Sequence, residues 1–130
     1  KAFTVFAVLS GLVLVSAEKK DEICLTRLKL DKEAMKPLLR QIIHPVQESA
    51  DYNKFLECFW KELGYFDVND KLSWSTIQTD YEAKFGKSQK LTRVISNCKN
   101  EYLTGKTLGE TAVKNQNCLM NGAIDNNLVG

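Results

Sequence analysis

The chain has 130 residues, 44% of them hydrophobic and 26% charged, with 18 Lys and Arg against 16 Asp and Glu for a formal net charge of +2. Opposite charges are interspersed and no basic block occurs, which argues against an electrostatic nucleic-acid binder or a polybasic membrane-surface protein. The length accommodates one domain.

Lys1 is followed by an uncharged, mostly apolar run from Ala2 to Val15, and then by Ser16-Ala17. A basic start, an apolar stretch and small residues at a cleavage point form the pattern of a secretory signal peptide. Residues 1–17 are therefore expected to be a signal peptide, with 18–130 as a secreted, extracellular domain. The start at Lys rather than Met fits a precursor lacking its first residues. The apolar run is short for a membrane span and no later run reaches spanning length, so membrane insertion is not expected.

The first third of the domain is the least regular. Residues 19–29 around Cys24 fit a short helix, and Asp31 fits the cap of a second, which Pro37 would disturb and Pro45 would end. A clearer helix surrounds Cys58. Phe55, Phe59 and Leu63 recur at i, i+4 and i+8 with Leu56 and Trp60 beside them, a broad apolar stripe. Gly64 sits where a left-handed residue would stop this helix, and Phe66 to Lys71 reads as a polar turn.

Ser75-Thr76-Ile77-Gln78 fits a capping box for the next helix, whose face is Trp74, Ile77, Tyr81 and Phe85, with Gly86 closing it. Ser88 is placed to cap another, with Leu91, Val94, Ile95, Cys98 and Tyr102 on one side. Thr107-Leu108-Gly109-Glu110 is a second capping box. It opens a helix carrying Ala112, Val113, Leu119, Met120, Ala123 and Ile124, with Gly122 near its end. The fold class expected is all-α, about six short helices with few or no strands.

Four cysteines, Cys24, Cys58, Cys98 and Cys118, read as two disulfides in a short secreted chain, with three connectivities open. Zinc sites usually contain a close Cys-x₂₋₄-Cys pair, and the cysteines here are widely spaced, so no metal is expected. Short amphipathic helices are marginal alone because nucleation is costly. A cross-link constrains the unfolded chain by about 2–4 kcal/mol, which suits such helices to stapling.

The cysteine layout resembles that of insect odorant-binding proteins, the pheromone and general odorant carriers. Their pattern has six cysteines, with three residues between the second and third and eight between the fifth and sixth. Here Lys54 stands three residues short of Cys58, across Phe55-Leu56-Glu57, and Gly109 stands eight residues short of Cys118. Those two family cysteines are partners, so a whole bridge is missing and no thiol is stranded, as in the four-cysteine "minus-C" subgroup. Glu57 to Gly64 followed by Phe66 to Leu72 is also similar to the family's helix, glycine stop and turn. The resemblance implies the pairs Cys24–Cys58 and Cys98–Cys118 and a set of helices around an apolar cavity. Without the third bridge, the helix from Thr107 is expected to move more freely against the Phe55–Leu63 helix, giving an adaptable cavity.

The function implied is a carrier of small hydrophobic ligands such as odorants, pheromones or fatty acids. It needs no cofactor. An olfactory receptor or a second copy of the chain is the protein partner the resemblance suggests. Candidate wall residues are Leu39, Ile43, Phe55, Phe59, Trp74, Tyr81, Leu91, Val94, Ile95, Leu119 and Met120. Tyr52, Tyr81 and Tyr102 pair an apolar ring with a hydroxyl that could orient a ligand. An enzyme is not expected: His44 is the only histidine, all four cysteines are expected oxidised, and no GxSxG or P-loop occurs. The rival reading is a small secreted signalling or interaction module whose aromatic stripe is solid core.

Overall fold

The computed structural model describes residues 20–35 and 49–128. Among the described residues the fold is all-α. Helices α1 and α2 cover residues 20–27 and 32–35. They are followed by α3 (Ala50–Leu63), α4 (Trp74–Phe85), α5 (Gln89–Asn100) and α6 (Leu108–Asp125). The readings at residues 1–17, Pro37, Leu39, Ile43, His44 and Pro45 lie outside the described residues.

Helix boundaries follow from local capping chemistry. Asp31 accepts from the Glu33 amide at 3.0 Å and starts α2. Ser49 opens α3 by accepting from the Tyr52 amide, Ser88 opens α5 through Leu91, and Thr107 opens α6 through Glu110. Each side-chain oxygen satisfies a donor that the helix itself leaves orphaned. At the far end of α3, Gly64 adopts φ 79°. Its amide bonds the Lys61 carbonyl while the Tyr65 amide reaches back to Trp60, a Schellman closure. The chain turns sharply enough for Tyr65 to meet Trp60 edge-on, ring centroids 5.1 Å apart.

Two expectations need correction. The Ser75–Gln78 capping box does not start α4, because Ser73 is the cap residue and Trp74 is already helical. Ser73 Oγ bonds Thr76 Oγ1 at 2.8 Å, and Ser75 merely offers its carbonyl to Thr79. Two serines flank Trp74, and the second matched the box pattern only by chance of spacing. Tyr102 likewise leaves the face assigned to it. Helix α5 ends at Asn100, and Tyr102 enters the left-handed region at φ 50° with 83% of its surface exposed.

Packing runs α3 against α6, α6 against α5, and α5 against α4. Two disulfides add covalent ties between helices. Cys24–Cys58 ties α1 to α3, and Cys98–Cys118 ties α5 to α6. These are the two pairs that the family resemblance implied. Between α3 and α4, Phe66 and Leu72 form a single bridge pair around a turn in which Asp67 accepts from the Asn69 and Lys71 amides. The buried side chains Leu56, Trp60, Ile77, Leu91, Leu119 and Val113 lie at the centre of one hydrophobic cluster.

Replacing Gly64 by Ala is expected to destabilise the protein by about 1–2 kcal/mol, the cost of placing a Cβ in the left-handed region. Replacing Cys98 and Cys118 together by Ser should cost about 2–4 kcal/mol. Both are read from urea midpoints at unchanged slope.

Candidate functional site

Nine of the eleven candidate wall residues are described, and the helices bring all nine into the same apolar cluster. Phe55, Tyr81, Leu91, Val94, Ile95, Leu119 and Met120 are buried, with Phe59 and Trp74 partly buried against them. Helix geometry accounts for the convergence. Phe55 and Phe59 lie one turn apart on α3 and stack with centroids 5.6 Å apart. Leu91, Val94, Ile95 and Cys98 make one stripe of α5. Leu119 and Met120 sit on the inner face of α6, next to the Cys118 anchor.

Among the grooves between described residues, one of about 570 Å³ lies between α4 and α5 and is lined by polar side chains including Glu82, Lys87 and Arg93. A second, about 280 Å³, follows α1 at Glu22, Lys29 and Lys32. A third, about 250 Å³, separates α3 from the start of α6 at Lys54, Glu57 and Glu110. None of the three is lined by a candidate wall residue.

The polar groups inside the cluster are the informative ones. Tyr52 is buried and its hydroxyl donates to Gln116 Oε1 at 2.6 Å, joining α3 to α6. Burial pushes this hydroxyl up to about 12. Tyr81 is pushed upward by burial and then by the nearby Asp80 carboxylate. Of the three tyrosines named as candidates to orient a ligand, Tyr52 and Tyr81 are buried and Tyr102 is exposed.

Sequence reasoning missed two residues here. Tyr65, just past the end of α3, is buried and donates to the Asp80 carboxylate, so the Schellman turn brings its ring inward. Burial and that bond push Tyr65 upward as well. Asn115 is completely buried on α6. Its amide nitrogen donates to the Leu103 carbonyl at 3.0 Å and the Thr111 carbonyl at 2.8 Å. Two acceptors on one side fix which end of the amide is nitrogen. The carbonyl end, Oδ1, is buried without a partner. A polar residue on an otherwise apolar helix face was the available signal.

No group of three or more His, Cys, Asp or Glu among the described residues is placed to hold a metal ion. No described helix is long and apolar enough to cross a membrane.

Helices that turn their apolar faces onto one cluster, and that two disulfides hold together, define a small cross-linked all-α domain. The sequence model of the PBP/GOBP family matches residues 13–122, and the chain belongs to this family of insect odorant-binding proteins. The match covers both disulfides, and the four-cysteine pattern fits the minus-C subgroup. Members are small odorant- and pheromone-binding carriers rather than enzymes. The searches of curated proteins and of solved structures gave no match.

The tyrosines make the site's stability pH-dependent in a defined direction. A folded-state value above the unfolded one means the native state holds the proton more tightly. The contribution is complete below about pH 10, the ordinary tyrosine value, and is lost as pH rises. For Tyr52 the loss runs through about 12. Absorbance at 295 nm is expected to show Tyr52, Tyr65 and Tyr81 ionising with unfolding rather than in the ordinary range. Tyr52→Phe should lose about 1 kcal/mol at neutral pH and flatten the alkaline decline.

Proposed function

We propose that the protein is a secreted carrier that takes up a small, largely neutral lipophile between α3, α4, α5 and α6. Membership of the PBP/GOBP family over residues 13–122 is the observation that carries this reading. The convergence of the candidate wall on one cluster supports it. Removing apolar ligand surface from water supplies about 25 cal/mol per Å², with no reactive group required. Phe55, Phe59, Trp74, Leu91, Val94, Ile95, Leu119 and Met120 are the proposed wall, and Tyr81 lies among them. Leu39 and Ile43 belong to the same proposal from the sequence alone.

Polar contacts are few in such a site and serve orientation. Asn115 Oδ1 is an acceptor that burial leaves unsatisfied, at a cost of about 1–3 kcal/mol. A ligand hydroxyl reaching it would recover that cost. Cleavage after Ala17 and export complete the proposal, on the signal-peptide pattern at the N-terminus.

A neutral fluorescent lipophile titrated into the disulfide-intact protein tests the reading. Saturable micromolar binding, displaced by long-chain alcohols, is the expected outcome. Phe59→Ala should weaken it about tenfold, equivalent to roughly 1.4 kcal/mol of lost ring contact. A folded, oxidised sample that binds no probe would mean a filled core, and the interaction-module reading would replace this one.

A further inference from the structure

The geometry between α3 and α6 points to a device that stands where the family's third disulfide is missing. The two positions that lack cysteine, Lys54 and Gly109, both line the 250 Å³ groove between these helices. The groove does not keep the helices apart at its floor. A Cβ built on Gly109 would lie 2.3 Å from the Asn53 carbonyl oxygen and 2.8 Å from the Asn53 carbonyl carbon. Those are backbone atoms of α3, which cannot swing aside as a side chain can. The first turn of α6 therefore rests directly on the α3 main chain, and only glycine permits it.

At the same place Glu57 of α3 accepts from the Gly109 amide, Oε1 to N 3.1 Å, across a sequence separation of 52 residues. Gly109 is the second residue of α6, and its amide is one of the donors the helix leaves orphaned. Thr107 serves the Glu110 amide with its own hydroxyl, 3.1 Å away. The Thr111 amide closes the first helical bond onto the Thr107 carbonyl. The Gly109 donor is capped from another helix. A carboxylate there also meets the positive end of the α6 dipole. The other Glu57 oxygen faces Lys61 at 3.5 Å, an i, i+4 ion pair at the surface.

We infer that Glu57 and Gly109 form a non-covalent clasp that takes over the cross-linking role of the missing bridge. Unlike a disulfide, a single charge-assisted hydrogen bond breaks and re-forms within the native state. The clasp lets the first turn of α6, residues 108–111, part from α3 along the groove and close again, while Cys98–Cys118 holds the rest of α6 to α5. The inference concerns the helices themselves and stands whether or not the protein carries a lipophile.

Native-state hydrogen exchange on the full, oxidised chain tests it, amide by amide. A hydrogen bond to a charged group is worth about 1.5–3 kcal/mol net, which converts to roughly tenfold or more in exchange rate. Glu57→Ala is expected to accelerate exchange at Gly109 at least about tenfold while leaving α5 unchanged. Glu57→Gln keeps an acceptor without the charge and should give a smaller acceleration. Lys61→Ala, which removes only the surface ion pair, should leave Gly109 as it was. Gly109→Ala opens the contact from the other side and should accelerate residues 108–111 together. An unchanged Gly109 rate in Glu57→Ala would overturn the clasp. So would an equal acceleration at every amide of α6, since that reports global loss of stability rather than a local opening.

Discussion

Helix α3 buries a broad face of large side chains, and much of the architecture answers that constraint. Tyr52, Phe55, Leu56, Cys58 and Trp60 are buried within fourteen residues, so no single neighbour can cover them. Helix α1 is brought to one side by the Cys24–Cys58 bridge, with Arg27 reaching Glu62 at 3.1 Å at the edge. Helix α6 covers another side, meeting α3 through Tyr52–Gln116 and Glu57–Gly109. The turn after Gly64 folds Tyr65 and Phe66 over Trp60. A helix this short gains its stability from such coverage rather than from its own hydrogen bonds. The aromatic side chains of α3 are covered jointly by α6, by the turn after Gly64 and by the bridged α1.

What the sequence made legible was local. Ser49 was not singled out, but Gly64, Ser88 and Thr107 mark boundaries because their function depends on residues within four positions of them. The misplaced start of α4 came from two serines either side of Trp74, both suited to capping, between which local pattern does not decide. Tyr102 was lost for a related reason. Its spacing continues the α5 stripe, while the left-handed backbone at that residue turns it outward. The all-α class and the two bridge pairs were legible together, through helical periodicity and family spacing.

The interior was less legible because sequence reports which residues are apolar, not what lies between them. Phe55 and Leu119 satisfy the same pattern whether they touch one another or a guest. Long-range polar partners are equally silent in one dimension: nothing at Glu57 announces an amide 52 positions later, and Tyr65 is paired with Asp80 only after the turn is folded. Gly109 is the instructive case. Its spacing to Cys118 marked it as a vacated cysteine position, and the structure adds that the vacancy is filled by main chain.

The two remaining bridges have an order as well as a location. Cys24–Cys58 closes 34 positions and Cys98–Cys118 closes 20, and the first pair is complete in the chain before the second begins. The loops neither interlock nor enclose one another. A polypeptide emerging from its N-terminus therefore presents Cys24 and Cys58 with no competing thiol for another 39 residues. Three pairings are open to four free cysteines in a finished chain, but oxidation that keeps pace with synthesis meets only one at each stage. Loss of the cross-linking pair at Lys54 and Gly109 thus leaves a connectivity that synthesis can complete in sequence, without a disulfide isomerase to correct it.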